Sequence, residues 1–306
     1  NGASTLIFSD TVKGRISSFF FEEKILGSYT VRLLPLYIYF SLLISLKIKN
    51  EFIIKLIIFF MFINLIILSG ERTSYLMLFL YLSILIICIR IPKKLYFFKP
   101  TIIILVPILL FIMLFLNIEL KNRVVFKTLN QLGINNYTQK DISIENNISE
   151  DINYSNIYFF SKEHQSYFKT AYRMFKEKPI LGHGPKFFRV KCKDYVNSSQ
   201  IYYFTCSTHP HNFYFQILAE IGLVGLIFIL LLYFFTVKIF LKYYFLNLKN
   251  SAKYLRYNVM ILLLASVLTN LFPFMPTSSF FNNWVNVFIW LPFGIYLFHY
   301  HKKKYI

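Results

Sequence analysis

The stretch His209-Pro210-His211-Asn212-Phe213-Tyr214-Phe215-Gln216-Ile217-Leu218-Ala219-Glu220-Ile221-Gly222-Leu223-Val224-Gly225 passes from polar residues into an apolar run that continues to Val237. A run of that length has the roughly twenty residues a helix needs to cross hydrocarbon, so His211 and Asn212 stand at a membrane mouth. Imidazole is the side chain whose ordinary pKa lies nearest neutrality. There it can meet both water-soluble and lipid-borne reactants, although a His at a membrane end also serves as a plain anchor or hydrogen-bond partner. The rest of the chain decides between these roles.

Working outward, apolar runs cover about 31–47, 52–69, 73–91, 101–118, 213–237, 257–272 and 279–299. Hydrophobic residues make up 56% of the 306 positions, which excludes an ordinary soluble globule. The expected fold class is all-α, a polytopic transmembrane helical bundle of about seven spans. The formal charge of +19 raises nucleic acid as a partner. Many of the Lys and Arg, however, lie in short loops between apolar runs rather than on a soluble face, so no nucleic acid is expected.

Those loops set the topology. Lys47 and Lys49, then Arg90, Lys93, Lys94 and Lys99, then Lys238, Lys242, Lys249, Lys253 and Arg256, and finally Lys302, Lys303 and Lys304 fall in alternate connections, and the positive-inside rule assigns them to the cytoplasm. By parity residues 1–30, the Gly70-Glu71-Arg72 turn, the loop 119–211 and the Pro273–Ser278 turn lie outside. Three regions follow: an N-terminal transmembrane region, 1–118; a long external loop with amphipathic helices, 119–211; and a C-terminal transmembrane region, 212–306. The chain opens on polar Asn1-Gly2-Ala3-Ser4-Thr5, without an initiator Met or a signal peptide, which leads to the expectation that earlier spans are missing.

In the external loop, Glu119-Leu120-Lys121-Asn122-Arg123-Val124-Val125-Phe126-Lys127 reads as a helical extension with one apolar face. Residues 135–156 turn to Asn, Ser, Ile, Asp and Glu without periodicity, which suits a mobile excursion. Order is expected to resume at Gln165, where Phe168, Ala171, Tyr172 and Phe175 make one apolar stripe beside Arg173. Lys178-Pro179 ends that helix, and Gly182-His183-Gly184-Pro185 forms a tight turn. Cys88 lies within a span and is expected to be inert. Cys192 and Cys206 are either two free thiols or, in an oxidising compartment, a disulfide closing a loop of about fifteen residues and worth about 3 kcal/mol; the bridge is the favoured reading.

Arg72, at the membrane boundary in Ser69-Gly70-Glu71-Arg72-Thr73-Ser74, either snorkels to headgroups or binds an anion in a cavity, and Glu71 is available as a local partner. Arg173 and His211 are the next candidates, with Lys186, Arg189, Lys191 and Lys193 between them. Guanidinium forks suit pyrophosphate oxygens, and a neutral imidazole suits removal of a proton from a sugar hydroxyl. Glu220, nine residues beyond His211 in the same run, is either a functional carboxylate or a buried partner for a polar residue. Gly222-x-x-Gly225 reads as a close-packing pair. The sequence has no Asp-x-Asp pair, Cys/His cluster, Ser nucleophile elbow or Gly-rich nucleotide loop, so no metal and no cofactor are expected.

His211-Asn212-x9-Gly222-x-x-Gly225 resembles the signature of the O-antigen ligase and polymerase superfamily, bacterial membrane proteins that move lipid-linked glycans. The block Pro179-Ile180-Leu181-Gly182-His183-Gly184-Pro185, the Ser69–Thr73 turn, and Gly14-Arg15-Ile16-Ser17 before Leu26-Gly27-Ser28-Tyr29 resemble that family too. The resemblance implies a GT-C-like fold in the bacterial inner membrane. It also implies an undecaprenyl-pyrophosphate-linked glycan as donor, and metal-independent, inverting transfer at the periplasmic face to an acceptor hydroxyl. Lipid A-core is the favoured acceptor, in lipopolysaccharide biosynthesis. Polymerase and protein O-oligosaccharyltransferase activities are the alternatives within the family, and a transporter, channel or purely structural membrane subunit the alternatives outside it. By the same resemblance His211 is the base that activates the acceptor, and Arg72 and Arg173 hold the pyrophosphate, with Arg123 as the substitute for Arg173. Asn212, Glu220 and His183 are expected to support them.

Overall fold

A helix that is apolar around its whole circumference must be covered on every side, and residues 259–265 are apolar without interruption. In the computed structural model every residue from Tyr257 to Asn270 is buried, and this helix is the axis of the protein. The structure describes residues 16, 20, 25–44, 50–91, 98–126, 128–129, 161–195, 206–250 and 253–302. Gly14, Arg15, Ser17, Lys47, Lys49, Lys93, Lys94, Lys127, the segment 135–156, Lys303 and Lys304 lie outside them.

Among the described residues the longer helices are α1 (Leu26–Leu43), α2 (Glu51–Leu68), α3 (Arg72–Cys88), α4 (Phe98–Leu116), α5 (Lys162–Glu177), α6 (Phe213–Glu220), α7 (Gly222–Lys249), α8 (Tyr254–Asn270) and α9 (Asn283–Lys302), and there is no strand. The protein is all-α. By length and composition α1, α2, α4 from Lys99, and α7 can cross a membrane. Helix α3 is apolar but 17 residues long. Around α8 pack α1, α3, α7 and α9, and α2 leans on α1 and α4. The outer faces of α2, α4 and α7 expose large apolar side chains such as Met61, Phe111 and Phe228, as lipid-facing helices do.

Two boundaries differ from the hydropathy pattern. The run 213–237 is not one helix: it breaks at Ile221 because Gly222 adopts φ +72°, which ends the α6 ladder. Helix α7 then continues to Lys249, twelve residues past the end of the run. Lys238, Lys242 and Lys249 all lie on its exposed side. Charge ends a hydropathy run but does not break a helix, since Lys is a good helix former.

Helix α5 starts earlier than expected, at Lys162, because Ser161 caps it: the Ser161 hydroxyl accepts from His164 N at 3.3 Å. Its buried stripe is Phe168, Ala171 and Met174, while Tyr172 is 46% exposed with Lys176 over its ring. The stripe lies one position round from the expected one because α5 packs on α6, where Phe168 stacks on Phe215 with centroids 4.4 Å apart.

Candidate functional site

Asn212 is the N-cap of α6, and its side chain explains how the neighbouring His is held. Its Oδ1 accepts from Tyr214 N (2.9 Å) and Phe215 N (3.2 Å), which have no partner within the helix. Its Nδ2 donates to the carbonyls of Pro273 (2.8 Å) and Met275 (3.2 Å), in the turn between α8 and α9. The same turn reaches His211 directly, since Thr277 N donates to the His211 carbonyl at 2.8 Å. Between these anchors His211 adopts φ +59°, a left-handed conformation rare for a side chain other than Gly and costing about 1–3 kcal/mol. The surrounding hydrogen bonds offset that cost and fix where the imidazole points.

It points into a ring cluster. His209 lies 4.1 Å from it between centroids, His164 at 5.3 Å and edge-on, and Tyr167 at 5.4 Å. His164 and Tyr167 come from the first turn and a half of α5, so docking of α5 on α6 assembles the cluster. Burial lowers the His211 imidazole to about 3, and the neighbouring His209 and His164 push in the same direction. Burial likewise lowers His209 to about 4; Arg189 and His164 add to this and the Thr277 backbone opposes it. His164 is lowered too, first by burial, with Glu163 opposing and Arg72 assisting. The cluster is therefore neutral at ordinary pH and able to accept a proton, while its charged form is disfavoured.

Arg72 connects this cluster to the membrane boundary. It begins α3 and donates to Thr128 Oγ1 at 3.2 Å, and its charge acts on His164. Arg123 donates to the carbonyl of Gly70 at 3.0 Å, two residues from Arg72. The Gly70–Arg72 turn is tied down by Glu71, whose carboxylate accepts from Ser28 N at 2.7 Å and from the Ser28 hydroxyl. Arg32, 2% exposed, lies beneath: it donates to Asn270 Oδ1 (2.8 Å) and the Ser28 carbonyl (2.9 Å), with Trp284 5.7 Å from its guanidinium. This charged group inside the first apolar run is the functional candidate the hydropathy reading passed over. An Arg within an apolar segment was the available signal.

Behind the cluster, the break between α6 and α7 is closed by the Pro179–Pro185 block. His183 N and Gly184 N donate to the free carbonyls of Ala219 (3.2 Å) and Glu220 (2.8 Å) at the end of α6. In return Leu223 N and Val224 N, at the start of α7, donate to the carbonyls of Pro179 (2.8 Å) and Ile180 (3.3 Å). The backbones approach so closely that a Cβ on Gly182 would stand 2.4 Å from Glu220 C, and one on Gly222 2.4 Å from Ile180 O. The Glu220 side chain, fully buried, completes the clamp by accepting from Lys186 N (2.9 Å), Phe188 N (2.9 Å) and Gln216 Nε2 (3.1 Å).

The Gly-rich turn and the His-Asn to Gly-x-x-Gly segment are thus two halves of one joint. The O-antigen ligase family pattern matches residues 57–230, more than half the chain and including both halves. The chain belongs to the O-antigen ligase family. No curated protein and no solved structure matches it. As a member of that family it is a membrane protein of the ligase and polymerase type, handling glycan and lipid-linked substrates.

Within this O-antigen ligase family chain, the residues singled out by sequence fall into two groups. His211 lies against His209 and His164, which sequence reading did not select, and Arg72 acts on His164, while Arg123 is tied to the Arg72 turn through the Gly70 carbonyl; His209 two residues from His211 was the signal. Arg173 faces elsewhere. It is nine residues beyond His164, about half a turn round α5 and roughly 13 Å along it, and it donates to the Tyr195 carbonyl at 2.9 Å. His183 stacks on Phe187 and pairs its Nε2 with the Met174 carbonyl at 2.8 Å, a structural setting. Cys192 and Cys206 are bonded to each other, with Cα atoms 5.6 Å apart, and belong to the small core under α5. Among the described residues no group of three His, Cys, Asp or Glu could hold a metal ion.

Proposed function

We propose that this protein transfers a polysaccharide from an undecaprenyl-pyrophosphate carrier to an acceptor hydroxyl, lipid A-core, at the periplasmic face of the bacterial inner membrane. The observation that carries the proposal is the neutral His211 imidazole, held in a rare backbone conformation within a cluster that Arg72 overlooks. His211 takes the proton of the acceptor hydroxyl as its oxygen attacks the anomeric carbon. The bond from that carbon to the pyrophosphate oxygen breaks on the opposite face, so the configuration inverts. Its electron pair passes to the leaving pyrophosphate, and Arg72 and Arg123 meet the growing charge, with the exposed Arg189, whose charge acts on His209, as a further cation.

An imidazole near pKa 3 is a weak base until an anion is beside it. A pyrophosphate bound at Arg72 favours the imidazolium and raises the proton affinity of His211 when the donor is in place. In this scheme seven spans place residues 119–211 outside and the basic loops inside, with 1–118 and 212–306 as the two transmembrane regions. Arg173 serves by holding the 192–195 segment. Glycolipids extracted from cells lacking the gene and from complemented cells test the reading. Accumulation of long, unattached carrier-linked chains that disappears on complementation is expected. Accumulation of single repeat units would identify a polymerase instead, and an unchanged glycolipid profile would remove the transferase reading.

A further inference from the structure

At the far end of α8 a cavity of about 310 Å³ opens between α8 and α9, lined by Leu255, Arg256, Val259, Met260, His299 and Lys302. Arg256 is fourteen residues from Asn270, so the cavity lies roughly 20 Å along α8 from the turn that anchors His211 and is separate from that site. Its lining is of two kinds: Leu255, Val259 and Met260 of α8 are apolar, while Arg256 and Lys302 supply two cations and His299 an imidazole. Arg256 donates one hydrogen bond, to the His299 carbonyl at 3.2 Å, and His299 Nε2 pairs with the Tyr39 hydroxyl at 2.7 Å. Among the described residues no carboxylate lines the cavity, and the sequence has no Asp or Glu side chain after Glu220.

We propose that this cavity binds an anionic glycerophospholipid, its phosphate at Arg256 and Lys302 and the first methylenes of its acyl chains against Leu255, Val259 and Met260. A small soluble anion would leave the apolar lining wet, and a zwitterionic lipid would bring its own cation to a lining that already has two. An anionic amphiphile satisfies both kinds of lining. The volume is at the small end of ligand sites, which suits a headgroup and the start of its chains rather than a whole lipid. Basic pockets between transmembrane helices on the cytoplasmic side are where anionic headgroups are held, and the positive-inside assignment puts this end there.

Native mass spectrometry of the delipidated full chain tests this, with phosphatidylglycerol, phosphatidylcholine and inorganic phosphate as the probes. One phosphatidylglycerol per chain is expected to bind in preference to phosphatidylcholine and to resist displacement by inorganic phosphate. Arg256→Gln with Lys302→Gln should weaken it about 25-fold, about five-fold for each cation. Lys238→Gln with Lys242→Gln removes the same charge from exposed positions of α7 outside the cavity and should change nothing. Lys302→Gln alone, at an exposed helix end, should cost about five-fold and covers the case in which Arg256→Gln fails to fold. Equal binding of the two lipids, displacement by phosphate, unaltered binding in the Lys302 variant, or equal loss in the α7 variant would each overturn the proposal.

Discussion

Replacing Glu220 by Gln separates a structural carboxylate from a catalytic one. Glu220 Oε1 accepts from Phe188 N, and Oε2 accepts from Lys186 N and Gln216 Nε2. An amide keeps only one acceptor. If its oxygen takes the Oε2 place, its NH₂ faces the Phe188 N–H, and one buried backbone donor loses its partner. Gln216 cannot rescue it by turning over, because its Oε1 accepts from Phe280 N (2.8 Å) and its Nε2 also donates to Ser279 Oγ (3.0 Å). One orphaned buried donor costs about 1–3 kcal/mol, and Glu220→Ala, which orphans both backbone donors, about twice that. At about 2–4 °C per kcal/mol for chains of 150–250 residues, Glu220→Gln should melt several degrees below wild type, and Glu220→Ala lower still. The assay is thermal unfolding of the purified protein in detergent, with glycan transfer measured in parallel well below the melting point. Transfer should persist in Glu220→Gln when the protein is folded. An unchanged melting temperature would refute the clamp, and abolished transfer in a fully folded variant would refute its purely structural role.

Three further outcomes are expected. Because His211 and His209 titrate near 3 and 4 in the folded protein against an ordinary 6.5, the unfolded chain binds more protons between those values. Stability should therefore fall as pH drops below 6.5 and go on falling towards pH 3; melting temperatures at pH 7.5 and 5 should differ, and by less in His209→Gln, whereas a pH-independent wild type would contradict the cluster's burial. Arg72→Gln and Arg123→Gln should each reduce kcat/KM for the lipid-pyrophosphate donor about 10- to 100-fold, the worth of a charge-assisted hydrogen bond. Arg173→Gln should leave it near wild type, and an equal loss there would return Arg173 to the pyrophosphate site. Arg32→Leu should destabilise the bundle by about 1–3 kcal/mol by leaving the buried Asn270 Oδ1 without its donor. Arg32→Lys should rescue only part, since an ammonium lacks the fork that reaches Asn270 and Ser28 together; protease resistance in membranes measures both.

Hydropathy made α2, α3, α8 and α9 readable to within a few residues, because lipid and a packed apolar interior both demand uninterrupted runs. It missed the joint at Ile221 because Gly222 costs a run nothing in hydropathy, although its φ of +72° ends a helix. Only the approach of Ile180 and Gly182 shows why Gly is required there. Arg32 was hidden for a related reason: one cation within an apolar run is averaged away, yet its partners Ser28, Asn270 and Trp284 come from three separate elements. His211 and Asn212 were legible from their place at the mouth of a span. Their different tasks were not, since Asn212 is recognisable as a cap and a tether only once the Pro273–Met275 turn is beside it. Arg173 and Arg72 look alike in sequence, but Arg72 acts on His164, whereas Arg173 lies about half a turn of α5 round from that His and donates to the Tyr195 carbonyl.

The most direct test of the account is transfer by purified protein, with and without His211→Ala, from a lipid-pyrophosphate-linked glycan to lipid A-core, followed on a gel. Wild type should move the glycan to the acceptor. His211→Ala, inserted in the membrane at the same level, should be slower by the roughly 10²- to 10⁴-fold that a general base contributes. Undiminished transfer by that variant would contradict the role given to His211 and with it the central claim.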